Sequence, residues 1–225
     1  TSFSLLEVEP RDEACTEADF LQPGSRLVSA GLALFGPRTQ LIITNGQGVD
    51  GFTVDREVGN FVLTNPELTI PEDAHIFAID ASDARYWPFP VARYVDECTQ
   101  GADGPRGHDF TMRWNASAVF GAFRTLHSGG VFLVPEVPLE SAWLAPLLHT
   151  AAPLALLAEQ AGGRASTGRC RVLDIVPGDL GDRVPLFLGD GHEVVRLERY
   201  FAQHDHDGDP ASAHPLFRNR SLFVD

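Results

Sequence analysis

The apolar positions of the chain gather around Gly129 to Gly163. Gly129-Gly130 opens a short continuous apolar run, Val131-Phe132-Leu133-Val134, which Pro135 ends; such a run predicts a strand buried on both faces. Trp143 to Ala161 then predicts a helix that is apolar on nearly every face. Leu144, Leu147, Leu148, Leu154, Leu156 and Leu157 supply its bulk, and Gly162-Gly163 stops it. Pro146 and Pro153 fall inside that stretch, and each removes a backbone donor and crowds the preceding turn. Two shorter helices, or a helix after Pro153, therefore fit as well as one long helix. A strand and a helix without polar faces must both be buried, so they mark the middle of a layered α/β core.

Ser2 to Val8 predicts a strand, Glu9 to Asp19 an acidic loop and Leu21-Gln22-Pro23-Gly24 a turn. Arg26 to Phe35 places Leu27, Ala30 and Leu34 at helical spacing before Gly36-Pro37, which predicts a helix. Leu41 to Thr44, Phe52 to Asp55 and Phe61 to Thr64 predict strands joined by short Gly-bearing turns, hence antiparallel neighbours. His75 to Ile79 predicts a further strand, Tyr86 to Cys98 an amphipathic helix, and Gly101 to Gly107 a loop. Ser117 to His127 predicts a helix with almost no polar face, and Arg171 to Ile175 and Val184 to Leu188 two strands. Asp190 caps a last helix carrying Val194, Leu197 and Phe201 on one side. The expected fold class is α/β: a layered sandwich with a mixed sheet flanked by helices over residues 1–203, followed by a polar, mobile tail over 204–225.

Composition narrows the function classes. With 44% hydrophobic and 21% charged residues over 225 positions the chain reads as a globular protein with a substantial core. No apolar run reaches the roughly 18 uninterrupted residues that a membrane span needs. The net charge is -14, and all seventeen basic residues are Arg. An acidic surface repels phosphate backbones and anionic lipid, which argues against nucleic acid and membrane as partners. A cation set without Lys fits either a GC-rich coding sequence or adaptation to salt. Cys15, Cys98 and Cys170 are odd in number and widely spaced, which predicts buried reduced thiols in a cytoplasm. The chain starts at Thr1 rather than Met, which predicts a segment upstream.

No G-x-S-x-G elbow, P-loop, H-E-x-x-H or dinucleotide fingerprint occurs. Asp80 and Asp83 form either a cation site or an ordinary loop turn with solvated carboxylates. His149 reads as a satisfied core histidine, and His204 to Asp209 has ligand types without full calcium-loop spacing.

The order of short words is specific enough to name a family. Leu21-Gln22-Pro23-Gly24, Ala30 to Gly36, Gly51 to Asp55 and Gly59 to Thr64 run in one sequence with Met112-Arg113-Trp114, Arg124-Thr125-Leu126 and Gly129 to Leu133. Glu159 to Gly163, Leu173-Asp174-Ile175, Arg183 to Gly189, Pro215-Leu216-Phe217 and Arg220 to Phe223 complete it. The chain resembles class I fructose-1,6-bisphosphatase over essentially its whole length, and specifically the C-terminal domain of that family. The resemblance implies a metal-dependent sugar-bisphosphate phosphatase fold of carbohydrate metabolism that assembles into oligomers. The family's front half, with its Asp-Pro-x-Asp-Gly-Ser-Ser metal carboxylates, has no counterpart here.

Site residues carried over by the resemblance depart from the family in one direction. Arg113 matches an arginine that reaches a substrate phosphate across a subunit interface, a task suited to a guanidinium fork. In this chain it serves either a weak sugar-phosphate or anion contact or an interface ion pair. Asp80 stands at an asparagine position, Val134 at a tyrosine, Leu144 at a lysine and Thr150 at a metal-binding glutamate; Ala118, Gly121 and Phe123 replace a methionine, an aspartate and a histidine. Losing the lysine and tyrosine removes bonds worth roughly 1.5–3 kcal/mol each when charge-assisted. The expectation is a chain without catalytic residues or metal of its own, with a structural or regulatory role as a homo-oligomer or beside an intact family member. Two alternatives stand beside it. One is the C-terminal part of a complete phosphatase, with Mg²⁺ as its cofactor; the other is an anion sensor using Arg113.

Overall fold

Two five-stranded sheets are held apart by a layer of helix, and a second helical layer covers the outer face of one of them. The computed structural model describes residues 1–8, 14–138 and 144–207. The first sheet is an antiparallel meander in chain order: β1 (Ser2–Leu6), β2 (Leu27–Leu34), β3 (Gln40–Thr44), β4 (Asp50–Val54) and β5 (Phe61–Asn65). The second is mixed. It contains β6 (Ile76–Ala78), β7 (Thr111–Met112), β8 (Val131–Val134), β10 (Arg164–Ser166) and β12 (Leu186–Gly189), in the spatial order β10-β12-β8-β6-β7. In it β6 is parallel to both β7 and β8, whereas β12 is antiparallel to β8 and β10. A two-stranded ribbon pairs β9 (Ala145–Pro146) with β11 (Arg183–Val184).

Helix α4 (Ala152–Gln160) lies between the sheets, against β1, β2 and β3 on one side and β10 and β12 on the other. Every residue from Ala152 to Ala158 is buried, so the helix that is apolar all round has protein on every side, as its sequence requires. Helix α3 (Ala118–Ser128) shares this layer. Helices α2 (Phe89–Thr99) and α5 (Gly191–Asp207) cover the far face of the mixed sheet. The alternation along β12 sorts the layers: Leu186 and Leu188 face α4, and Phe187 faces α2 and α5.

Several expectations give way to tertiary context. Residues 26–35 form strand β2, not a helix. Ser29, Ala30, Gly31 and Leu32 are all buried, so both faces are covered and the period-two signature is erased. A Cβ on Gly31 would sit 2.3 Å from the Phe3 ring, so the small residues serve close approach of β1. Arg171 to Ile175 holds a single 3₁₀ turn, Val172–Asp174, rather than a strand, with Arg171 clamped between Glu159 and Asp174. The two prolines divide the long apolar stretch: β9 ends at Pro146, a π-turn spans Leu147–Ala151, and Pro153 sits in the first turn of α4, where its missing N–H costs nothing. The acidic loop contains α1 (Glu17–Phe20), capped by Thr16. Pro185 separates β11 from β12, while β7 and β10 have no clear sequence signature. The expected mobile tail is helical from His204 to Asp207; residues 208–225, like 9–13 and 139–143 with Trp143, lie outside the described residues.

Only one of the three free cysteines is buried: Cys98 is, and Cys15 and Cys170 are exposed, which corrects the expectation of three buried thiols. Cys98 belongs to a polar cluster at the α2–α5 contact. Tyr94 donates to Glu193 at 2.5 Å, Arg106 pairs with the same carboxylate, and Arg106 also points a guanidinium N–H at Cys98 Sγ. Burial would lower the Arg106 pKa, but the Glu193 bond and charge outweigh it and raise it. Burial pushes the Cys98 thiol up from 9.0 to about 12, against the pull of Arg106. The protonated thiol is thus favoured in the folded state. Its contribution to stability is complete below pH 9 and is lost as pH rises toward 12.

The packing is testable at two points. Titration with a thiol reagent at pH 8 should find two fast-reacting cysteines and a third that reacts only on unfolding; three fast thiols would contradict the buried cluster. Gly130 has φ +77, and an added Cβ would lie 2.1 Å from the Ile76 carbonyl. Gly130→Ala should therefore lower urea-unfolding stability by about 3 kcal/mol, and a loss below about 1 kcal/mol would show that the β6–β8 contact yields easily.

Candidate functional site

The three parallel strands β7, β6 and β8 end on the same side, and the chain leaves them as Arg113-Trp114, Ile79-Asp80 and Pro135. A cavity of about 350 Å³ lies beyond these carboxyl ends, the usual place for a ligand in a sheet of this kind. The start of α3 and the β9–β11 ribbon close its sides.

Of the residues singled out in the sequence, Asp80, Asp83, Ala118, Val134, Leu144 and Thr150 line this one cavity. Asp80 caps the 3₁₀ helix Ala81–Tyr86: its Oδ1 accepts from the Ser82 backbone N–H at 3.0 Å and the Ser82 hydroxyl at 2.6 Å. Asp83, one turn on, brings a second carboxylate to the wall. Thr150 Oγ1 lies 3.2 Å from His149 Nδ1, and His149 is exposed rather than the core histidine expected. Arg183 brings a cation to the wall and donates to the Leu144 carbonyl at 2.9 Å, tying β11 to the chain entering β9.

Arg113 is outside. Its backbone is held in the sheet by Phe77 O at 2.9 Å, its side chain is exposed, and its carbonyl accepts from Arg124. Burial, then the charge of Arg113, lowers the Arg124 pKa.

The rest of the lining is apolar and aromatic. Trp114 stacks parallel on Phe132, with centroids 5.8 Å apart and planes at 5°, and Trp87, Val119 and Pro146 continue the wall. The Phe132 ring fills the space beside Gly121, where a Cβ would meet it at 2.4 Å. Gly121 thus helps to set where that ring sits in the wall. Trp87, Phe132 and Arg183 were not singled out in the sequence, because each sits in a word that reads as scaffold.

These groups do not fit a divalent metal. Thr150 offers a neutral hydroxyl, and one Asp80 oxygen is committed to Ser82. Among the described residues no three His, Cys, Asp or Glu side chains form a group able to hold a metal ion, and His204 to Asp207 is no exception. His204 stacks on Phe89, and Asp205 pairs with Arg169. Among them, too, no helix is long and apolar enough to cross a membrane.

Comparison with known proteins gives two consecutive family matches. Residues 1–66 match the model described as fructose-1-6-bisphosphatase, N-terminal domain, and residues 70–202 the model described as its C-terminal domain. The division falls between β5 and β6, where one sheet gives way to the other, so residues 1–66 belong with the N-terminal domain and not, as the resemblance implied, with the C-terminal one. A class 1 fructose-1,6-bisphosphatase of Hydrogenophilus thermoluteolus is 47% identical over 226 residues, covering 99% of this chain and 62% of the relative. The crystal structure of Leishmania major fructose-1,6-bisphosphatase in holo form superposes with a TM-score of 0.78 at 31% identity, covering 86% of this chain and 60% of that one. The chain thus spans about three fifths of the length of both relatives.

The Gly121–Phe132 contact yields a direct test. Phe132 is 1% exposed and stacked on Trp114, so displacing its ring breaks that stack. Gly121→Ala should cost about 2 kcal/mol of stability in urea unfolding and alter the near-ultraviolet tryptophan signal; an unchanged signal would mean that the ring swings away freely.

Proposed function

Since the chain belongs to the fructose-1,6-bisphosphatase family, we propose that it keeps the family's fold without sugar-bisphosphate hydrolysis, and that it acts through its contacts, in a structural or regulatory role within an oligomer. The observation that carries this reading is the lining of the cavity: Asp80, Asp83, Val134, Leu144 and Thr150 meet there. A bisphosphate would face two carboxylates, each repelling it by roughly 1–4 kcal/mol per charge at about 4 Å near a surface. Val134 and Leu144 offer no hydrogen bond, and Thr150 no compensating charge for a cation. The N-terminus of α3, capped by Ser117, favours an anion by about half a charge, which is less than the carboxylates oppose.

A second reading makes the chain part of a longer sugar-bisphosphate phosphatase. It is favoured by the greater length of the relatives, of which about two fifths has no counterpart in these residues. Added chain would leave Leu144 and Thr150 as they are, so the first reading stands ahead.

The test is phosphate release from fructose 1,6-bisphosphate by the purified chain with Mg²⁺. Release no faster than a protein-free blank is expected. Turnover that depends on Mg²⁺ and disappears in Asp80→Ala would overturn the reading.

A further inference from the structure

The cavity beyond β6, β7 and β8 has a composition of its own, and it suits a ligand. Its walls are Trp87, Trp114, the Phe132 ring, and Val119, Val134 and Leu144, which together line a partly open apolar cavity of about 350 Å³. Binding sites for small organic molecules look like this: mostly apolar, with a few charged groups that fix orientation. Among the described residues the charged groups on its wall are Asp80, Asp83 and Arg183.

Their commitments differ. Arg183 is engaged with the Leu144 carbonyl, and one oxygen of Asp80 with Ser82. Among the described residues the cavity wall therefore carries two carboxylates and one guanidinium, the latter engaged elsewhere in part. A charge beside apolar walls is worth most when the occupant brings its opposite.

We infer that this cavity binds a small organic cation, an aromatic or aliphatic body carrying an amine, with the body against Trp87, Trp114 and Phe132 and the ammonium toward Asp80 and Asp83. The inference rests on the reading of the cavity as one that no longer takes a bisphosphate, and it names the class of molecule that replaces it. Two indoles beside the ligand add cation–π attraction to the charge pairing. The net charge of -14 concentrates cations around the molecule as a whole and acts in the same direction.

Calorimetric titration of the full chain with 2-phenylethylamine, 2-phenylethanol and fructose 1,6-bisphosphate tests this. The alcohol keeps the ring and removes the charge. The amine should bind at least tenfold more tightly than the alcohol, and the bisphosphate not at all. Asp83→Asn and Asp80→Asn keep the size of each side chain, and the amide oxygen introduced by the latter still accepts from Ser82. Together they should abolish the preference for the amine and leave the alcohol unchanged. Equal binding of amine and alcohol, or an amine preference that survives both substitutions, overturns the inference. Silence with all three molecules overturns it too, while leaving the loss of bisphosphate chemistry standing; binding of the bisphosphate overturns both.

Discussion

Burial of α4 on every side is the constraint on which the rest of the structure depends. From Ala152 to Ala158 the helix consists of alanines, leucines and one proline and has no face to offer water, so it must be sandwiched. The first sheet supplies Ala30, Leu32 and Ile42, and the mixed sheet supplies Ala165, Leu186 and Leu188. Each fully buried leucine contributes on the order of 1.5–3 kcal/mol. The large core thus sits between the sheets, and the second core, under α2 and α5, depends on the mixed sheet being held against it. The small residues of β2 and the prolines flanking α4 are consequences of that arrangement: the former let strands and helix approach, and the latter begin the helix where the sandwich begins.

The cavity is a by-product of the same architecture. Three parallel strands ending together, next to a helix start and a ribbon, leave a space whose existence the fold guarantees and whose chemistry the lining decides. In this chain the lining is aromatic and acidic. The Trp114–Phe132 stack and the absence of a side chain at Gly121 are coupled, since the ring occupies the space that a side chain there would need. The family fold and the chemistry of the cavity can therefore be separated, and the 47% identity to a named phosphatase speaks for the first more than for the second.

Much of this was legible in the residues. The strand 131–134, the antiparallel order of β3, β4 and β5, the helix capped by Ser117 and the helix after Asp190 all carry local signals that agree with their packing. Residues 26–35 misled because a strand buried on both faces loses its alternation, and chance spacing of Leu27, Ala30 and Leu34 then imitates a helix. The 3₁₀ turn at Val172–Asp174 depends on Arg171 meeting Glu159, a contact twelve residues away that no local window contains. At the site, Asp80, Val134, Leu144 and Thr150 were recognisable by position in the family pattern, and they do converge. Arg113 does not join them within this chain. Trp87, Phe132 and Arg183 escaped notice because a cavity wall is made by topology, and an aromatic residue there reads like any core residue.

The central claim is that a working family scaffold surrounds a cavity whose lining alone forbids a bisphosphate. The most direct measurement is equilibrium binding of fructose 1,6-bisphosphate to the chain and to a variant carrying Asp80→Asn, Val134→Tyr and Leu144→Lys. No binding to the former and saturable binding to the latter is the outcome expected. Equal binding by both, with the stability of the fold unchanged, would contradict the account, because the lining would then not be what decides.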